Sequence, residues 1–170
     1  AFAPYETLVG EPGEFMLSDF AKFDRPPILH LGFQAVIQYS EDKNAFPAPG
    51  DVEAANAVVA IAKSLDTNKI LEDNAKAEAL LMHLASGCQA ILSPMCAAMG
   101  GMVGQEVLKA CSGKFTPIKG FFYLDADEAL ADQLPDKSLL EPTGSRYDSQ
   151  IAVFGKDMQE KFLDLKYFII

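Results

Sequence analysis

Three stretches in the first half of the chain carry apolar residues at the three- and four-residue spacing of an amphipathic helix. Asp24 and Asp51 precede the first two stretches, where their side chains can accept hydrogen bonds from a first helical turn. The third stretch follows Asn74. The apolar positions are Leu29, Phe33, Val36 and Ile37 in the first stretch, Val52, Ala55, Val59, Ala62 and Leu65 in the second, and Ala77, Leu80, Leu81 and Leu84 in the third. This pattern predicts most of a helical bundle.

A fourth helix is predicted between Ser93 and Gly113. Ser93 and Pro94 are typical of an N-cap and a first helical position, and Gly113 is typical of a left-handed C-cap. Apolar side chains recur every four residues along this stretch, and its glycines leave a smooth face that another backbone can approach closely. We therefore expect a buried helix. The apolar positions are Met95, Met99, Val103, Val107 and Cys111, and the glycines are Gly100, Gly101 and Gly104.

The last third of the chain mixes helix and strand signals. The aromatic run at residues 121–124 predicts a short strand, and the charged, proline-containing stretch at 125–145 predicts a linker. Two short helices are predicted around Ile151 and Phe162, followed by a second strand at residues 167–170. The predicted fold class is therefore mixed α/β and helix-rich, with a helical bundle followed by α/β elements.

Charge and cysteine content narrow the functional classes. The chain has 170 residues and a formal net charge of −10, which argues against a nucleic-acid partner and against an anionic membrane surface. Three cysteines without a CxxC pair indicate reduced thiols in an intracellular protein. Ala1 is not a methionine and the chain ends within an apolar run, so we expect part of a longer protein.

Specific motifs occur at three places, reading SDFAKFDR at 18–25, QEVLKACSGKF at 105–115 and RYDSQIAVFG at 146–155. HLGFQA at 30–35 and QEKF at 159–162 extend the pattern. In this order and at these intervals the motifs resemble the ubiquitin-activating enzyme family. The resemblance covers most of the chain apart from residues 1–14 and 41–90.

The resemblance implies an enzyme that uses ATP and magnesium to adenylate the ubiquitin C-terminus and then holds ubiquitin as a cysteine thioester. Such enzymes contain two Rossmann-like adenylation half-domains, one inactive and one active. By this resemblance, residues 1–89 form most of a four-helix bundle, 90–140 the C-terminal part of the inactive half-domain, and 141–170 a linker and the start of the active half-domain. The ATP loop and the catalytic cysteine would follow residue 170.

This arrangement implies that the segment is scaffold and half-domain interface and is inactive alone. We expect no catalytic, cofactor-binding or metal-binding residue in it. Its implied partners are the remainder of the same polypeptide and, through the longer protein, ubiquitin and ubiquitin-conjugating enzymes in the cytoplasm and nucleus. Two alternatives remain open, a stand-alone helical interaction module and a paralogue that activates another ubiquitin-like modifier.

One motif departs from the family pattern. Related half-domains carry Arg-Tyr-x-Arg-Gln, in which the second arginine reaches the ATP phosphates of the partner half-domain. Ser149 stands at that position here, and a hydroxyl lacks the bidentate positive charge that stabilises phosphate oxygens. The motif is therefore not an arginine finger, and Arg146, Tyr147 and Gln150 are the candidates for contacts between half-domains.

The remaining polar candidates are predicted to be structural. His30 and His83 have no cysteine or carboxylate at metal-ligand spacing, so we expect packed or partly exposed imidazoles. Cys111 stands near Lys114, which can activate a thiol, but its place in the apolar stripe favours a small buried hydrophobe. Cys88 is expected to be the most exposed cysteine. The methionines of the fourth helix, Met95, Met99 and Met102, are expected in the core.

Overall fold

The structure, a computed structural model, describes residues 3–168 and contains eight α-helices within that range. They are α1 (Tyr5–Gly10), α2 (Arg25–Lys43), α3 (Val52–Leu65), α4 (Ala75–Gly87), α5 (Ser93–Ser112), α6 (Lys137–Leu140), α7 (Asp148–Phe154) and α8 (Lys156–Asp164). Short 3₁₀ helices occur at Phe20–Lys22 and Asp127–Ala129. No helix between residues 3 and 168 is long and apolar enough to cross a membrane.

The helix-rich prediction is confirmed, but the strand predicted at residues 121–124 is wrong. Only an isolated parallel bridge joins Phe122 to Met16, whereas a strand needs consecutive pairs along a neighbouring segment. The aromatic side chains pack instead, with the Phe121 ring centroid 4.8 Å from that of His30. Of the second predicted strand, residues 167 and 168 are irregular, and residues 169–170 lie outside the described residues.

Side-chain caps explain why α3 and α4 begin where the sequence predicts. Asp51 Oδ1 accepts a hydrogen bond from the Ala54 amide at 3.0 Å, and Asn74 Oδ1 accepts one from the Ala77 amide at 3.0 Å. The Ala54 amide also lowers the pKa of the Asp51 carboxyl because it favours the ionised form. Both predicted helix starts are confirmed.

The chain divides into two compact units. One unit contains residues 1–30 and 92–125, and the other contains residues 31–91 and 126–170. In the second unit α3 and α4 pack together, and Gly32 lets α2 approach α4 closely. Side chains that are almost completely buried form its core, including Ala35, Ala55, Val58, Ala62, Leu71, Ala77, Leu81, Ala85 and Leu140.

The buried side of α2 differs in part from the prediction. Val36 is buried as expected, but Phe33 and Ile37 remain nearly half exposed. An added Cβ on Gly32 would lie 2.6 Å from the Leu81 and Leu84 Cδ2 atoms, so the glycine sits at the point of closest approach between α2 and α4. The small residue, rather than the large aromatic one, faces the neighbouring helix.

The stretch predicted as a linker, residues 125–145, contains packed structure. Leu140 is 2% exposed, and its Cδ1 atom would lie 2.9 Å from a Cβ added to Gly50. The buried leucine at the end of α6 therefore packs this part of the stretch into the second unit. The linker prediction is wrong at α6, whereas the division at residues 89 and 140 stays a prediction.

Helix α5 has the predicted length but not the predicted burial. It begins at Ser93, one residue earlier than expected, with Leu92 at the N-cap, and ends at Gly113 in the left-handed conformation (φ 64°). None of its described residues is buried, and Val103 is 59% exposed. A Cβ on any of its three glycines would meet no atom within 4 Å. Helical spacing predicts which side chains share a face, but not what covers that face.

The burial predicted for the cysteines and methionines is also wrong, because helical spacing does not show which faces are covered. Cys96 and Cys111 are exposed, whereas Cys88 is intermediate and its Sγ donates to the Pro47 carbonyl at 3.7 Å. Burial raises the pKa of the Cys88 thiol. Met99 is exposed and Met95 and Met102 are partly exposed. The predictions of a buried Cys111, an exposed Cys88 and methionines in a core are therefore wrong.

Candidate functional site

The three predicted interface residues lie where α7 begins. Arg146 is exposed, Tyr147 occupies the N-cap position of α7, and Gln150 lies in the first helical turn. The Arg146 guanidinium lies 5.0 Å from the centroid of the Tyr147 ring, a distance at which a cation and an aromatic face attract. The structure thus brings the exposed Arg146 and the partly exposed Tyr147 together as one group, with Gln150 on the helix that follows.

Asp148 organises this site, although sequence reasoning did not single it out. Its Oδ1 atom accepts hydrogen bonds from the Thr143 amide at 2.9 Å, the Thr143 hydroxyl at 3.0 Å, and the Ser145 amide and hydroxyl at 3.2 Å. Its Oδ2 atom accepts one from the Gly144 amide at 3.0 Å. Three consecutive residues before Arg146 are therefore tied to one carboxylate.

The hydrogen bonds also determine the ionisation of Asp148. The largest cause is the Thr143 amide, and the Ser145 amide and the hydroxyls of Thr143 and Ser145 add smaller effects. Together these hydrogen bonds lower the pKa of the Asp148 carboxyl from 3.8 to about 2. Because the pKa of the folded form is the lower one, Asp148 stabilises the turn at pH values above 3.8, and this contribution is lost as the pH falls toward about 2. A sequence signal existed in the run of turn-forming residues at 142–145, with Gly144 at φ 77°.

Packing below the turn positions the start of α7. Ile151 is 4% exposed, and the Phe154 and Phe162 rings meet edge to face at 5.5 Å between α7 and α8. Gly155 joins the two helices at φ 82° and ψ 162°, a conformation that is accessible essentially only to glycine. The two short predicted helices are confirmed, and the Arg146–Tyr147 group lies at the beginning of this packed pair of helices.

The two histidines lie outside this site. His30 Nε2 is 2.9 Å from the Val9 carbonyl, which only accepts, so Nε2 carries the proton. His30 Nδ1 lies 2.8 Å from the Tyr123 hydroxyl oxygen, and burial raises the pKa of Tyr123 to about 12. His83 Nδ1 is paired with Asp127 Oδ1 at 2.6 Å. The packed role predicted for His30 is confirmed.

No metal centre was found within the described part of the chain. Between residues 3 and 168, no three His, Cys, Asp or Glu side chains come together in a group that could hold a metal ion. The acidic cavity near the end of α3 is lined by both acids and lysines, and Lys63 pairs with Glu78 at 2.6 Å.

Comparison with known proteins shows which proteins this chain is similar to. The family model described as the ubiquitin-activating enzyme E1 four-helix bundle matches residues 1–66. Ubiquitin-activating enzyme E1 2 of Arabidopsis thaliana is 49% identical over 175 residues, which cover 99% of this chain. Ubiquitin-like modifier-activating enzyme 1 of Rattus norvegicus is 40% identical over 177 residues, which cover the whole chain. Over nearly its whole length, the chain is similar to a segment of ubiquitin-activating enzymes.

The chain spans 16% of the length of these relatives from Arabidopsis and rat. The same share holds for ubiquitin-like modifier-activating enzyme 1 of Dictyostelium discoideum, which is 40% identical over 172 residues. The resemblance based on three motifs is therefore confirmed over nearly the whole chain, including residues 41–90, where no motif was recognised.

Proposed function

We propose that this chain is a scaffold and half-domain interface segment of an enzyme that adenylates the ubiquitin C-terminus and then forms a ubiquitin thioester. The observation that supports this is the 49% identity over 99% of the chain to a protein named for ubiquitin activation. ATP and magnesium would bind in the remainder of that polypeptide. Ubiquitin and ubiquitin-conjugating enzymes would be its partners, in the cytoplasm and nucleus.

The proposed organisation keeps the division predicted from the sequence. Residues 1–89 would belong to the four-helix bundle, 90–140 to the end of the inactive Rossmann-like half-domain, and 141–170 to the start of the active one. Residues outside the chain would then supply the sheet against which α5, α7 and α8 pack. Arg146, Tyr147 and Gln150 would contact the other half-domain.

The distribution of charge on α5 supports an interface role. Its only charged residues are Glu106 and Lys109, which pair with each other at 2.5 Å, and Glu106 Oε2 also accepts from the Ile118 amide at 2.9 Å. The side that carries Gly100, Gly104 and Val107 is therefore uncharged. An uncharged face with glycines at four-residue spacing suits close approach of another helix or strand backbone. We place this face against the remainder of the polypeptide.

Replacing Gly104 with alanine tests whether that face is covered in the longer enzyme. In the 170-residue chain the added methyl meets no atom within 4 Å, so Gly104→Ala should raise the free energy of unfolding by about 0.5–1 kcal/mol through helix propensity. In the longer enzyme the same methyl should meet the covering segment and lower the melting temperature. Urea unfolding of the chain and thermal unfolding of the enzyme measure the two effects.

Gly10→Ala is the matched control, because a methyl at Gly10 also meets no atom within 4 Å. It lies outside α5 and should act in the same direction in both proteins. An equal stabilisation by Gly104→Ala in the chain and in the longer enzyme would contradict a covered α5 face.

Replacing Arg146 with alanine in the longer enzyme tests the interface at α7. Ubiquitin-dependent ATP–pyrophosphate exchange should fall by about tenfold, the loss typical of removing an arginine that anchors an interface. Lys161→Ala is the control, because Lys161 is an exposed cation on α8. Unchanged exchange in the Arg146 variant would remove this residue from the interface.

The identity of the modifier needs a separate measurement. The Arabidopsis relatives are named for ubiquitin, whereas the rat and Dictyostelium relatives are named for ubiquitin-like modifiers. We expect exchange with the longer enzyme to depend on ubiquitin. Exchange supported by another ubiquitin-like modifier and not by ubiquitin would favour the paralogue.

A further inference from the structure

The turn before α7 is held from one side by a single carboxylate. All five hydrogen bonds that the Asp148 carboxylate accepts come from residues 143–145, and none of them caps the amides of α7. Ser145 Oγ also accepts from the Tyr147 amide at 3.2 Å, which extends the network to the aromatic residue of the site. The position of Arg146, between Ser145 and Tyr147, is thereby constrained on both sides.

We infer that Asp148 is a positioning residue for the half-domain interface, because it holds the turn at 143–145 so that Arg146 and Tyr147 are in place before the other half-domain is contacted. This inference rests on the proposed function. The residues of the turn are exposed, so its order depends on these hydrogen bonds and on the one from the Asp148 amide to the Ser145 carbonyl at 3.2 Å. A preformed contact group binds more tightly because less conformational entropy is lost on contact.

The two oxygens of Asp148 have unequal roles, which gives a sharp test. Oδ1 accepts four of the five hydrogen bonds, and Oδ2 accepts only the one from Gly144. Asparagine can place its carbonyl oxygen at the Oδ1 position and keep those four, whereas alanine keeps none. Asp148→Asn should therefore retain most of the positioning, and Asp148→Ala should lose it.

A purely electrostatic role of Asp148 would affect the asparagine and alanine variants differently from a positioning role. Asp148 also lies in the first turn of α7, where a negative charge interacts favourably with the helix dipole. Asparagine and alanine remove that charge equally, so a purely electrostatic role predicts the same loss in both variants. Asp157 occupies the corresponding first-turn position of α8, and Asp157→Asn is the matched control for loss of charge alone.

The experiment combines amide exchange in the 170-residue chain with catalysis in the longer enzyme. In the chain, Asp148→Ala should speed hydrogen exchange of the Thr143, Gly144 and Ser145 amides by about tenfold or more, since each loses its acceptor. In the enzyme, the same variant should lower ubiquitin-dependent ATP–pyrophosphate exchange by roughly tenfold, as misplacement of a contact group does. Asp148→Asn should stay within about threefold of the wild type for the Thr143 and Ser145 amides and for pyrophosphate exchange, whereas the Gly144 amide, which donates to Oδ2, should exchange faster.

The outcomes separate the positioning role from the proposed function. If Arg146→Ala lowers pyrophosphate exchange and Asp148→Ala does not, the positioning role is overturned and the proposed interface stands. If Arg146→Ala has no effect, the interface fails and the positioning role fails with it. If Asp148→Asn and Asp148→Ala lower pyrophosphate exchange equally, the positioning role is overturned and Asp148 acts through its charge. Asp148→Ala could fail to fold, and a second variant covers that case. The double variant Thr143→Val and Ser145→Ala removes the two hydroxyl hydrogen bonds to Asp148. It should lower ATP–pyrophosphate exchange in the enzyme, as Asp148→Ala does.

Discussion

Leu81→Ala is expected to lower the free energy of unfolding of the chain by about 3 kcal/mol. Leu81 is fully buried on α4, at the point where Gly32 of α2 approaches most closely. Removing its isobutyl group loses hydrophobic burial and leaves a cavity between two helices that cannot fully collapse. Urea unfolding followed by circular dichroism measures the loss, which should appear as a lower midpoint with an unchanged slope.

Gly32→Ala shows whether the packing at this point is as tight as the structure indicates. A methyl on Gly32 would lie 2.6 Å from the Cδ2 atoms of Leu81 and Leu84. Overpacking of this kind costs about 1–3 kcal/mol, which outweighs the gain of about 1 kcal/mol that alanine normally brings to a helix interior. The single variant should therefore be destabilised, although the leucine side chains can adjust in part.

The double variant tests the same contact from both sides. With Leu81 truncated, the methyl at position 32 enters the vacated space, so the combined loss should be smaller than the sum of the single losses by about 1 kcal/mol or more. Gly101→Ala, which adds a methyl to a helix interior with no atom within 4 Å, should instead stabilise the chain. Additive losses in the double variant would show that α2 and α4 are not in contact at Gly32.

Gly50→Ala is the second substitution with a large expected effect, a loss of about 2–4 kcal/mol. Gly50 has φ 69°, which strains any residue with a side chain. Its added Cβ would also lie 2.9 Å from Lys137 Cα and from Leu140 Cδ1. The leucine can rotate away, but the backbone at Lys137 must shift, so α6 should loosen from the second unit.

Gly13→Ala separates the two causes of the loss expected for Gly50→Ala, which are backbone strain and contact with α6. Gly13 has φ 70°, and a methyl there meets no atom within 4 Å, so this variant reports backbone strain alone. Gly13→Ala should lower the free energy of unfolding by about 1 kcal/mol. The difference between Gly50→Ala and Gly13→Ala in urea unfolding then measures the contact with α6. Equal losses would mean that α6 does not press on Gly50.

Local sequence signals predicted the helices because they act over a few residues. Asp51 and Asn74 each bond to the amide three residues ahead, and Gly113 adopts the left-handed conformation at the end of α5. The 146–155 motif likewise identified both the family and the residues at the start of α7. Asp148 was missed because four of its five hydrogen bonds depend on how residues 143 and 145 fold back, which no periodic pattern reports.

The sequence by itself determined where α3 and α4 begin, where α5 ends, that two short helices flank Gly155, and which family the chain resembles. Tertiary structure alone decided that the α5 face is open, that residues 121–124 pack by their rings rather than forming a strand, and that Leu140 is buried. The physical reason is the distance along the sequence over which each kind of interaction acts. Helix caps and helical spacing act within one or two turns, whereas burial and strand pairing depend on a second segment that lies far away in sequence.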